Sequence, residues 1–204
     1  MAVVEGGGGR WPAPGAALDA RLSGTTSRFV LPALGLGTGR FRLDGLPPLR
    51  NRPFDDVVDA LRAFGATVIE EGAPGRLPLT VVADGHLRGG EVRVPADRTS
   101  QFVSALLLTA PCCEGGLRLR LEGTVASRPY VELTLRVMAD FGASGEWLDD
   151  RTIAVPAGGY TGRPFAVEPD ASSASYFLAA AAIAGGRVTV EGLGTDSPQG
   201  DARF

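Results

Sequence analysis

The chain has 204 residues, 44% hydrophobic and 21% charged, the profile of a folded globular protein of one large or two small domains. A net charge of −3 gives no global basic field to hold nucleic acid, and no apolar run reaches the roughly 18–20 residues that cross a bilayer. One histidine, two adjacent cysteines (Cys112 and Cys113) and no CxxC pair exclude the usual zinc spacings and a disulfide framework, leaving a reduced, cytosolic setting as the default.

The opening "MAVVEGGGGRWPAPG" has neither a charged n-region nor an apolar h-region, so no signal peptide is expected. Its Gly6–Arg10 run lacks the lysine of a phosphate-binding P-loop. From Gly24, "GTTSRFVLPALGLGTGRFRLDG" passes from small polar residues through Phe29 into an Ala/Leu-rich helix, a glycine turn and an alternating strand. "RPFDDVVDALRAFGATV", from Arg52, predicts an amphipathic helix with Val57, Val58, Leu61 and Phe64 on its apolar face. Pro53 suits its first turn and Gly65 its left-handed end. Asp55, Asp56 and Asp59 read as a solvated face rather than a metal site. "LTVVAD" and "EVRVP" follow as strands.

The pattern restarts at Asp97 with "DRTSQFVSALLLTAPCCEGGLRLRLEG". From Arg128, "RPYVELTLRVMADFGASGEW" is a second amphipathic helix, with Pro129 in its first turn, Leu133, Val137 and Phe141 at helical spacing, and Gly142 at its end. "RTIAVP" is a further strand. A third start, "DASSASYFLAAAAIAGGRVTVEG", begins at Asp170; its helix is apolar nearly all round and is expected to be buried, and "RVTVEG" is expected to be a strand. The aromatics Phe29, Phe102 and Phe177 mark the phase, spaced by 73 and 75 residues. The expectation is an α/β repeat of strand–helix–strand–helix–strand–strand, about 75 residues long, packed around a shared core. The third copy stops early and the first begins abruptly, so a fragment is expected.

The chemistry concentrates at the helix starts. The first four N–H groups of a helix lack internal partners and carry the positive end of its dipole, a setting that binds anions. Gly24-Thr25-Thr26-Ser27-Arg28, Thr99-Ser100-Gln101 and Ser172-Ser173 all stand there. Ser, Thr and Asp are also the preferred caps, and Asp170 reads most simply as one. Capping does not call for Arg28 or Gln101 just inside the helix. Arg52 and Arg128, each before a proline, read either as surface arginines or as clamps for a carboxylate or phosphate.

The ordered motifs "GTTSRF", "RPFDDVVDALRAFGA", "RTSQFVSALLLTAP", "SRPYVELTLRVMADFGA", "DASSASYFLAAAAI" and "SPQGDARF" resemble those of the 3-phosphoshikimate 1-carboxyvinyltransferases, from about Leu18 to Phe204. The related UDP-N-acetylglucosamine enolpyruvyl transferases share the fold but lack this set. The resemblance implies an inside-out α/β architecture of βαβαββ units with buried parallel helices. Residues 1–167 would be a partial N-terminal domain, its second and third units, and residues 168–204 the beginning of a C-terminal domain. It implies a cytoplasmic transferase of aromatic amino-acid biosynthesis that moves the enolpyruvyl group of phosphoenolpyruvate onto shikimate 3-phosphate, without metal or organic cofactor. No nucleic-acid or membrane partner is implied.

By motif, Thr99, Ser100, Gln101, Ser127 and Tyr130 are the expected shikimate 3-phosphate contacts, Thr99 standing where the family usually has serine. Gly24, Arg52 and Gln101 are the expected phosphoenolpyruvate contacts, and Thr25 and Arg28 would shape that pocket. Phe29 stands where some members have proline. The family's "GSKS"-type segment, its acid and base carboxylates and its final lysine have no counterpart; all 20 basic residues here are arginine. The expectation is a chain inactive by itself, with partial binding of shikimate 3-phosphate at most. The family is typically monomeric; this chain, with apolar faces uncovered, is expected to self-associate. The other reading is a non-enzymatic anion-binding remnant, or one half of a split protein.

Overall fold

A computed structural model describes residues 2–11, 14–97, 99–125 and 127–203. Strands β1 (Gly15–Asp19), β2 (Thr38–Asp44), β3 (Thr67–Glu70) and β4 (Leu79–Asp84) form one sheet in the order β1-β2-β4-β3. Strands β5 (Gly90–Pro95), β6 (Leu117–Glu122), β7 (Glu146–Asp149) and β8 (Thr152–Val155) form a second in the order β5-β6-β8-β7. In each sheet the first two strands are parallel, Leu18 facing Leu43 and Val94 facing Leu121. The remaining pairs are antiparallel, with Phe41 opposite Val81 and Leu119 opposite Ile153. The two sheets are copies of one unit, and their first strands begin at Gly15 and Gly90, the expected period.

The alternation of β6 makes its packing clear. Leu117, Leu119 and Leu121 are buried while Arg118, Arg120 and Glu122 face out. β2 does the same with Phe41 and Leu43 inward. Helices α1 (Gly24–Leu34) and α4 (Ser100–Thr109) are apolar on most sides and pack against each other in the core, together with α3 (Asp55–Ala63). Leu31, Leu34, Phe102, Val103, Leu106 and Leu107 are all fully or almost fully buried. Each such side chain contributes about 1.5–3 kcal/mol on leaving water. Short α2 (Pro47–Arg50) bridges β2 and α3, and α5 (Arg128–Asp140) follows β6.

The topology also fixes direction. α1 and α3 connect strands of the first sheet that run alike, and α4 and α5 do so in the second. Each helix therefore returns antiparallel to its strands and starts at their carboxyl ends. Gly65 (φ 101°) and Gly142 (φ 82°) are left-handed just past α3 and α5, as expected.

Four expectations are corrected. Pro53 lies before α3 rather than in its first turn, because Phe54 caps that helix with its N–H donating to the Gly75 carbonyl at 2.9 Å. In α5 the buried face is Val131, Leu135 and Met138; Leu133, Val137 and Phe141 lie on its half-covered flank, where Phe141 meets Phe165 at 5.2 Å between ring centroids. "RVTVEG" forms no strand, since among the described residues no neighbouring strand supplies its ladder. Helix α6 (Ala171–Ala184) is exposed, with only Ala171 and Ala174 buried; among the described elements it packs mainly on the short turn Gly200–Arg203. Gln199 ties that turn back, accepting from the Ala171 N–H at 2.9 Å and donating to Glu168 and Pro169.

Candidate functional site at the paired helix starts

Because α1 and α4 start at the same end and touch, their first turns meet. Ser23 caps α1, its Oγ accepting from the Thr26 N–H at 3.1 Å. Thr99 caps α4, its Oγ1 accepting from the Gln101 N–H at 3.2 Å. Gln101 then reaches across 73 residues of sequence: its Oε1 accepts from Arg28 Nη1 at 2.6 Å and its Nε2 donates to Thr25 Oγ1 at 3.1 Å. Arg52 enters from the loop before α3, and its guanidinium lies against Gly24, where an added Cβ would meet Arg52 Nη1. A Cβ at Gly24 would displace that guanidinium, the far end of a flexible side chain. Gly24, Thr25, Arg28, Arg52, Thr99 and Gln101 are thus brought together, with Ser100 buried in the first turn of α4.

The electrostatics favour an anion. Arg28 is only 4% exposed. Its guanidinium lies over the Phe102 ring at 4.7 Å and the Phe54 ring at 5.9 Å from the centroids. Burial, and then the positive charge of Arg52, push its pKa below the ordinary value, so the charge is under strain. Its Nε has no hydrogen-bond partner among the described residues. Among those residues, neither Arg28 nor Arg52 forms an ion pair, while Arg42, Arg50, Arg62, Arg93 and Arg120 all do. Two cations and two positive helix ends converge, and among the described residues no carboxylate forms an ion pair with either cation.

The other expected contacts stand apart. Ser127 caps α5 in a left-handed conformation (φ 54°) without a side-chain capping bond. α5 lies beside α4, joined by a 2.7 Å bond between Ser104 Oγ and Thr134 Oγ1. Tyr130 faces the C-terminal segment: its hydroxyl joins Asp201 and Ser172, which also bond each other. Burial, and then the bond to Asp201, raise the Tyr130 pKa. Arg128 bonds Glu132 at 3.3 Å and lies over the face of Trp147 at 4.2 Å. The glycine run lies at the far end of α1, where Trp11 Nε1 donates to the Ala33 carbonyl. Cys113 is buried in the core, and that burial pushes its thiol up to about 12.

Sequence reasoning missed the aromatic pads of Arg28. Phe102 carried a signal, as the repeated aromatic one residue after Gln101, but Phe54 carried none. Asp201 was also missed as the partner of Tyr130.

A family model described as EPSP synthase (3-phosphoshikimate 1-carboxyvinyltransferase) matches residues 1–204. A 3-phosphoshikimate 1-carboxyvinyltransferase of a Nostoc species is 45% identical over 199 residues, 97% of this chain and 47% of the relative. One from a Marinomonas species is 43% identical over 204 residues, 99% of this chain and 48% of the relative. The chain thus spans about half the length of the curated relatives it matches. Among solved structures, EPSP synthase from Acinetobacter baumannii superposes with a TM-score of 0.68 at 26% identity, over 82% of this chain and 36% of that one. An enolpyruvyl transferase from Streptomyces tendae, with a TM-score of 0.51 at 22% identity over 75% of this chain and 35% of that one, shares the fold.

Proposed function

The chain belongs to the EPSP synthase (3-phosphoshikimate 1-carboxyvinyltransferase) family, and from that premise we propose that its paired helix starts form one side of a site for phosphoenolpyruvate and shikimate 3-phosphate. The observation that carries this reading is the meeting of Arg28 and Arg52 with two helix N-termini, no carboxylate in an ion pair with either among the described residues. Both substrates are polyanions, and preorganised donors of this kind hold phosphate and carboxylate without reorganising. Thr99, Ser100 and Gln101 serve the shikimate 3-phosphate; Ser127 and Tyr130, which stand apart at the start of α5, are assigned to the same ligand by motif. Gly24 and Arg52 serve the phosphoenolpyruvate, with Gln101 between the two and Thr25 and Arg28 shaping the pocket.

The reaction proposed for the complete site is addition followed by elimination. The 5-hydroxyl of shikimate 3-phosphate gives up its proton and its oxygen bonds to C2 of phosphoenolpyruvate as C3 gains a proton. The tetrahedral intermediate then loses phosphate and a C3 proton, restoring the double bond. No metal or organic cofactor enters it. These residues bind and orient; they include no group placed to move those protons, and the chain has no lysine. The 204-residue polypeptide alone is therefore proposed to bind shikimate 3-phosphate weakly and to turn over nothing. The same reading divides it into an N-terminal part, 1–167, and the opening of a second domain, 168–204. It also makes the protein cytoplasmic, in keeping with its free thiols. No described helix is long and apolar enough to cross a membrane.

Calorimetry of the chain with shikimate 3-phosphate tests the site, and phosphate release with both substrates tests turnover. Binding of shikimate 3-phosphate that is lost in S100A and Q101A, with no phosphate released, is expected. No heat at millimolar ligand would overturn the binding proposal, and clear turnover would overturn the inactive one.

A further inference from the structure

We propose that Arg28 is a positioning residue that fixes the orientation of the Gln101 carboxamide, so that Gln101 presents N–H and not C=O to a bound anion. The proposal deepens the anion-site reading above and rests on it. A guanidinium carries five N–H donors and no acceptor, so only the carboxamide oxygen can face it. That oxygen sits 2.6 Å from Arg28 Nη1. The carboxamide nitrogen is thereby turned toward Thr25, to which it donates one N–H at 3.1 Å, leaving its second N–H for a ligand. Without this constraint a glutamine turns about its last side-chain bond, and half of its orientations would offer a lone pair to the phosphate or carboxylate and repel it.

The lock works in both directions. Arg28 is buried between Phe54 and Phe102, and its Nε is unpartnered among the described residues. Releasing Gln101 Oε1 would remove the one hydrogen-bond acceptor that the described residues supply to the guanidinium. A buried charged donor left without an acceptor is strongly unfavourable, so the flipped amide is disfavoured from the arginine side as well. Arg28 belongs to the first unit and Gln101 to the second, so the same bond sets the spacing of the two helix starts.

The test uses the 204-residue chain with R28M, R28K and Q101E, read by the NMR order of the Gln101 side-chain amide and by calorimetry with shikimate 3-phosphate. In R28M the Gln101 amide loses order, and affinity falls roughly 10-fold or more, the scale of one hydrogen bond to a charged group. R28K, which restores a donor but not the ring stacking, recovers part of both. Q101E keeps the Arg28 contact as an ion pair and raises the melting temperature, yet binds the ligand more weakly than R28M, because its carboxylate now faces the anion. A Gln101 amide as ordered in R28M and R28K as in the unaltered chain would overturn the proposal. So would a Q101E chain that binds as well as the unaltered one. If the unaltered chain gives no heat with shikimate 3-phosphate, the anion-site reading fails, and the amide order still decides whether Arg28 positions Gln101.

Discussion

Two helices of nearly the same design meet opposite fates in this molecule. α4 and α6 each begin with a polar cap and small residues, continue through an aromatic and become almost wholly apolar. In α4 the aromatic, Phe102, is completely buried; in α6 its counterpart Phe177 is 64% exposed, and Tyr176 and Ile183 reach 78% and 87%. The cap and the helix propensity are local and suffice to form both helices. Burial is not local. α4 is enclosed by α1, α3 and α5, whereas the described residues bring α6 little besides one short turn. Apolar composition states what a helix needs, and only tertiary partners supply it.

The largest expected asymmetry follows from that aromatic pair. F102A leaves a cavity in the core and removes the ring beneath Arg28, so denaturant unfolding should show a loss of about 3–5 kcal/mol. F177A should change stability by less than about 0.5 kcal/mol, because the ring it removes already lies in water. Equal losses would mean that α6 is buried in solution. In light scattering, replacing Tyr176, Phe177 and Ile183 by serine should reduce self-association of the chain; no change would mean that the α6 face takes no part in it.

The caps offer a smaller contrast. T99A should cost about 1 kcal/mol of global stability, because α4 unfolds only with the core. D170A removes the acceptor of the Ser172 N–H and the partner of Ser173, and should fray α6 while leaving the global midpoint in place. Helix content by circular dichroism, compared with tryptophan fluorescence of the body, separates the two.

The smallest effect is acid sensitivity confined to the C-terminal segment. The bond from Ser173 holds the Asp170 carboxyl below its ordinary pKa, and the bonds from Ser172 and then Tyr130 do the same for Asp201. A carboxyl depressed in the folded state contributes stability above its unfolded pKa, near about 3.9, and that contribution is lost as pH falls through the folded value. NMR signals of Ser172 and Tyr130 should therefore move below about pH 4 while those of α4 stay in place. Simultaneous movement would show that the two regions unfold together.

Much of the body was legible in the sequence because its signals are periodic and local. The repeat spacing, the apolar run of "LTVVAD", the alternation of "LRLRLE", and the glycines at 65 and 142 all led to the observed elements. "RVTVEG" misled because a strand is a paired object, and alternation says nothing about whether a partner is present. The flank of α5 misled because Leu133, Val137 and Phe141 lie at helical spacing just as the buried Val131, Leu135 and Met138 do, one strip over. At the site, helix starts and caps were readable one by one. The bond between Arg28 and Gln101, and the fit of Arg52 against Gly24, depend on how two repeats dock, which no local pattern encodes.

That docking gives the bond between the two repeats a further meaning. The cations come from one repeat and the cap with its carboxamide from the other, so the proposed site needs both. A ligand seated there would act as a clasp across the seam, and its affinity would include the free energy of holding the two repeats in register. Any change that loosens the contact between α1 and α4, however far from the ligand, should then register as weaker binding before it registers as unfolding.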